Sequence, residues 1–219
     1  MPPVLLVLLL AAAPLLPPLE GPLTLTSTFG EFRQGHYHGG MDFSTGGQVG
    51  LPVLAPGDGW VLRIRASGVG YGRALYLRLD DGRTAVFAHL DRFAAPIEAA
   101  LRAEQDRVGE YEVDFGLEPG LLSFTRGEPI AFTGETGAGP PHLHAEVRTD
   151  ASASVAENPL HHGWQVTDAT PPSVTRLRVS PSRPGSFVNG GLDPAVVDLA
   201  AEPPVRISGG VRLWGETLE

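Results

Sequence analysis

The chain has 219 residues, carries a formal net charge of −9 and contains no cysteine, which leaves room for one large domain, or one domain and part of another, and removes both a disulfide framework and any thiolate metal site. The acidic balance, an isoelectric point near 5.2 and the absence of a Lys/Arg block exclude an electrostatic nucleic-acid surface. With 42% hydrophobic residues the chain is globular, and its 28 glycines and 21 prolines, scattered in short clusters, imply many turns between short strands. A mainly β fold follows.

In chain order, the apolar run Val4–Leu16 is too short to span a bilayer and fits the core of a secretory signal. Residues 1–20 are therefore expected to be a signal peptide or a retained N-terminal membrane anchor, with the protein exported to the periplasm or cell envelope. Met1-Pro2-Pro3 carries no basic residue, and the small-residue site Ala11-Ala12-Ala13 runs into Pro14, a poor residue after a cleavage point. Burial of the run inside the fold is the competing expectation. Leu23–Phe29 alternates weakly. Val53–Ala55 and Gly59–Ile64 read as strands separated by the turn Pro56-Gly57-Asp58, and Leu75–Leu79 and Thr84–His89 as a hairpin around Asp80-Asp81-Gly82. Pro96–Val108 is the one convincing helix, with proline at its start and Ile97, Leu101, Glu104 and Val108 at three- and four-residue steps. With the strand expected over Tyr111–Leu117 it reads as an insertion forming one wall of a groove. Short strands are expected within Phe124–Phe132. Beyond Arg148 the composition turns small and polar, residues 168–172 read as a linker, and 173–219 as a partial or small β module.

Two histidine segments carry the chemistry. In Gly139–Arg148, Pro140 and Pro141 forbid a helix, and alternation then places Leu143, Ala145 and Val147 on a core face and His142, His144 and Glu146 on the other. The two imidazoles lie about 6 to 7 Å apart along such a strand. In His38-Gly39-Gly40-Met41-Asp42, an extended backbone would separate His38 from Asp42 by about 13 Å, too far to share an ion, so the chain is expected to bend at the glycines. His38, Asp42 and one histidine of the His-x-His pair then supply three protein ligands to zinc, with the fourth position open to water as in catalytic sites. His36 competes with His38 for the role. His89, ending its strand, is a further candidate. His161-His162 are adjacent, so their rings diverge and neither is expected at the site.

These residues resemble a known family. His38-x-Gly40-x-Asp42, Phe87-Ala88-His89-Leu90 and Gly134-Glu135-Thr136-Gly137 leading to His142-Leu143-His144-Ala145-Glu146-Val147-Arg148 resemble the lysostaphin/LytM-type zinc endopeptidases, in the right order, over about residues 29 to 160. Gly57-Asp58-Gly59, Gly70-Tyr71-Gly72 and Asn158-Pro159 extend the match. The resemblance implies an antiparallel β-sheet peptidase domain at 21–165 with an active-site groove and one inserted helix. It implies His38, Asp42 and His144 as zinc ligands, His89 and His142 as the catalytic pair, and the peptide cross-links of peptidoglycan as substrate. Phe87 stands where tyrosine is frequent, Ala145 where an aromatic is, and Leu79 where histidine is; the first removes a hydroxyl expected near the groove. A non-catalytic wall-binding or hydrolase-activating module of the same fold is the alternative, although such members usually lose ligands and this chain keeps all three. A purely structural zinc conflicts with three ligands, since structural sites are closed by four.

Overall fold

The structure is a computed structural model and describes residues 13–33, 35–149, 152–166, 173–200 and 204–218. The chain divides into two units at residue 168. The first carries β1 (Leu25–Ser27), β2 (Phe32–Arg33), β3 (His36–Tyr37), β4 (Met41–Ser44), β5 (Pro52–Leu54), β6 (Gly59–Ala66), β7 (Ala74–Leu79) and β8 (Thr84–Ala88). It continues through β9 (Leu90–Phe93), the helix α1 (Ala95–Val108), β10 (Val113–Gly116), β11 (Ser123–Phe124), β12 (Pro129–Thr133), β13 (His142–Arg148) and β14 (Ala156–Glu157). Expected strands and helix thus form within a residue or two of their predicted limits, and the fold is mainly antiparallel β.

The large sheet runs β1-β4-β13-β8-β7-β6-β10, and a smaller sheet, β5-β12-β9, faces it. Alternation decides what lies between them. Leu143, Ala145 and Val147 of β13, Phe87 and Ala85 of β8, and Leu75 and Leu77 of β7 are fully buried in one cluster with Val53, Ala131 and Leu90 of the smaller sheet. The opposite face of the large sheet carries the polar side chains of β4 and β13, beside a second small cluster of Ala74, Tyr76, Val86 and Ala88. β8 is therefore buried on both faces, which explains the apolar run Ala85–Ala88 that follows Thr84.

Two parts of the first unit depart from the sequence expectations. Leu15 and Leu19 are buried in the main core, the Leu16 N–H donates to the Pro56 carbonyl at 2.9 Å, the Leu54 N–H to that of Pro18 at 2.9 Å, and the Trp164 indole to that of Leu16 at 2.8 Å. Each buried leucine contributes about 1.5–3 kcal/mol, so residues 13–20 are part of this unit's packing; residues 1–12, the start of the expected export segment, lie outside the described residues. Among the described residues, no helix is long and apolar enough to cross a membrane. The insertion, second, does not line the candidate site. The apolar stripe of α1 turns Ile97 and Leu101 inward, and β10 extends the sheet beyond β6, at the edge remote from β4 and β13.

The expected linker at 168–172 lies outside the described residues. The second unit, taken by itself, contains β15 (Ser173–Pro181), β16 (Phe187–Val188), β17 (Ala195–Asp198), β18 (Ile207–Ser208) and β19 (Val211–Leu218), with β15 central between β17 and β19 and β16 paired to β18. It holds none of the seven histidines.

Candidate active site

β4 and β13 are antiparallel neighbours whose register sets Asp42 directly opposite His144, on the face away from the main core. The approach is permitted by Gly40. It takes no positive φ; what it provides is room, since a Cβ there would meet the Ala145 carbonyl and lie 2.8 Å from Glu146 Cγ. The chain does bend at Gly40, bringing His38 Nε2 to 3.2 Å from Asp42 Oδ1, and the same glycine permits the close approach of the two strands. Gly40→Ala should cost about 1–3 kcal/mol, the usual penalty of overpacking, and weaken metal binding by parting Asp42 from His144; urea unfolding of the metal-free protein and a zinc titration check both effects.

His38 Nε2, Asp42 Oδ1 and His144 Nδ1 converge. The separations are 3.0 Å between the two rings, 2.9 Å from His144 to Asp42 and 3.2 Å from His38 to Asp42. All three residues are buried. The outer nitrogen of each ring is already committed: His38 Nδ1 lies 2.8 Å from the Thr28 carbonyl, and His144 Nε2 lies 2.9 Å from Glu146 Oε1. Neutral rings with their protons on those nitrogens turn two lone pairs toward the carboxylate oxygen, and three acceptors facing one point are stable only around a cation. A tetrahedral ion with bonds of about 2.0–2.1 Å needs donors about 3.3 Å apart, close to the observed spacing. The residues fit a metal. Without one, a proton serves: burial opposes both charged forms, but the hydrogen bonds joining Asp42 to His144 and His38 hold the aspartate well below the usual carboxylate range, and those from Asp42 and Glu146 raise His144.

Behind His144, Glu146 is fully buried and clamped. Its Oε2 accepts from Arg148 Nε at 2.7 Å, and its Oε1 from the Tyr71 hydroxyl. Burial raises its pKa, but His144 and Arg148 outweigh that and hold it at about 2, so it is ionised and fixes the tautomer of His144. Tyr71 and Arg148 are site residues that the sequence reading did not single out. Tyr71 was visible only as the centre of Gly70-Tyr71-Gly72, where Gly72, at φ 59°, packs on Thr136 in space no side chain could share.

His89 and His142 stand beside the convergent set, their ring centroids 4.5 Å apart. His89 has φ 59°, a left-handed conformation rare for a side-chain-bearing residue; leaving β8 this way carries its ring to within 5.9 Å of the His144 ring centroid. Its Nδ1 lies 2.8 Å from the Thr136 carbonyl, and burial pushes its pKa down to about 4. His142 Nδ1 lies 2.7 Å from the Pro140 carbonyl, and its Nε2 is 3.8 Å from Asp42 Oδ1. A cavity of about 570 Å³ opens over these groups, with Tyr71, Arg33 and Pro140 on its walls. His36, the competing ligand, lines it too but is exposed and outside the convergent group. His162 lies elsewhere, against Glu157. Phe87 points into the main core, 6.0 Å from the Trp164 ring centroid, so the residue at that position does not bear on the groove.

No protein-family model matches the chain. An uncharacterized metalloprotease of Haemophilus influenzae is 32% identical over 124 residues, 56% of this chain and 20% of that protein. A zinc-containing peptidase from Vibrio cholerae has a similar structure at TM-score 0.50 and 25% identity, over 68% of this chain and 40% of that one. The chain thus spans well under half the length of either relative. The catalytic domain of lysostaphin from Staphylococcus simulans gives a TM-score of 0.46 at 23% identity, over 64% of this chain and 90% of that one, a likeness too low to add weight. The fold is like that of a metallopeptidase, and the His/Asp/His group it brings together could hold a metal ion. The chain is similar in sequence to the Haemophilus influenzae metalloprotease and in structure to the Vibrio cholerae zinc-containing peptidase.

Proposed function

We propose that the protein is a zinc-dependent endopeptidase that hydrolyses peptide cross-links of bacterial peptidoglycan. The observation that carries this reading is the convergence of three committed lone pairs from His38, Asp42 and His144 beside two further histidines that face the same cavity. Nitrogen and oxygen donors without sulfur suit zinc, and three protein ligands are the number found in catalytic rather than structural zinc sites. When bound, the ion supplies Lewis-acid polarisation of a carbonyl and lowers the pKa of a water toward 7. His89, kept neutral at neutral pH by its burial, has its Nδ1–H committed to Thr136 and can accept at Nε2 the proton of an attacking water. His142, held by Pro140, faces the same space and, once protonated, can donate to the developing oxyanion.

The substrate class follows the family resemblance, and with it an extracytoplasmic location, to which the apolar run beginning at Val4 would direct the chain. Incubating the zinc-loaded full chain with purified peptidoglycan of defined cross-bridge, then identifying new amino termini by mass spectrometry, tests the proposal. New termini within the cross-link are expected. Peptidoglycan bound but uncut would favour the wall-binding alternative, and cleavage confined to unrelated peptides would overturn the substrate class.

A further inference from the structure

Asp42 has two carboxylate oxygens, and the structure uses them differently. Oδ1 faces the two imidazoles, while Oδ2 accepts from Arg33 Nη2 at 3.2 Å. The same Nη2 donates to Ser27 Oγ, which lies 3.2 Å from His38 Nδ1 and also bonds Glu31. Arg33 Nε sits 3.7 Å from Glu31 Oε1. One guanidinium on β2 is thereby tied to one ligand directly and to a second through a single hydroxyl. A carboxylate free at both oxygens can grip an ion with both, filling two positions; one whose second oxygen is held by a charge-assisted hydrogen bond offers only one.

Resting on the metal site proposed above, we propose that Arg33 is a positioning residue that restricts Asp42 to single-oxygen ligation and so keeps a coordination position open for chemistry. Arg33 is not among the residues that the metal-site or catalytic motifs name. Its side chain is about one-third exposed (38%) on a two-residue strand, so its contribution to the core is small and its removal should leave the fold standing.

The test uses the full chain and two metals. Cobalt(II) alone is titrated and followed by visible absorption, which reports coordination number, and zinc affinity is measured by competition with a chromophoric chelator. Wild type should show the intense band of four-coordinate cobalt. Arg33→Ala should weaken that band as Oδ2 joins the ion, and should lower zinc affinity about 10- to 100-fold, the usual consequence of losing a partner behind a ligand. Arg33→Lys, which keeps one charged donor, should recover most of both. Arg33→Met, which keeps the stem without the fork, gives the same reading should the alanine variant misfold. A merely structural Arg33 would lower the melting temperature and leave the cobalt spectrum unmoved, which overturns the proposal, as does wild-type affinity and spectrum in a folded Arg33→Ala. A wild type that takes up neither metal overturns the metal site itself, a result distinct from failure of Arg33's role alone.

Discussion

Asp42→Ala is expected to empty the site: zinc affinity should fall by more than about a hundredfold, since loss of a group merely behind a ligand already costs about ten- to a hundredfold, and hydrolysis should disappear with the metal. His38→Ala and His144→Ala should act in the same direction. The argument is geometric. Asp42 Oδ1 lies within 3.2 Å of both ring nitrogens and supplies the only negative charge among the three donors. Its removal leaves two neutral nitrogens and the cation of Arg33 facing a place meant for a dication. Elemental analysis after dialysis decides the matter, and stoichiometric zinc in all three variants would show the ligand assignment to be wrong.

The ligand strand was legible because its two faces differ so sharply. Leu143, Ala145 and Val147 alternate with His142, His144 and Glu146, and only one register hides the first set. The turns were legible from Pro, Gly and Asp, and the helix from its stripe. What the sequence hid was long-range. Gly40 reads as a bend and is one, but nothing local reveals that β13, a hundred residues onward, also needs the space a side chain there would fill. Leu15–Leu19 reads as the end of an export segment because apolar composition is shared by leaders and cores, and its packing depends on distant partners such as Trp164 and Pro56. Tyr71 and Arg148 hold Glu146 from two sides, a clamp that is complete only after the segment of Tyr71 meets β13, 75 residues onward. The left-handed turn at His89 leaves no mark in composition at all.

That turn matters to the second large effect. His89→Ala and His142→Ala should each retain zinc and fold, yet lose about a hundred- to ten-thousandfold in the rate of hydrolysing a wall-peptide substrate, the range typical of a positioned proton-transfer residue. Retention of metal is expected because neither ring nitrogen lies among the three convergent donors; His142 Nε2 stays 3.8 Å from Asp42 Oδ1. Loss of rate is expected because both rings spend Nδ1 on a backbone carbonyl, Thr136 in one case and Pro140 in the other, and so present Nε2 to the reacting space. His89 holds a left-handed backbone to do so, and alanine there keeps the same unfavourable φ without the ring's hydrogen bond to Thr136. His89→Gly separates the two contributions: it relieves the backbone while still lacking the base, so activity should stay low as stability recovers relative to His89→Ala. Hydrolysis by both alanine variants at the wild-type rate and matched zinc content would remove these histidines from the chemistry, leaving the three donors as a binding site only.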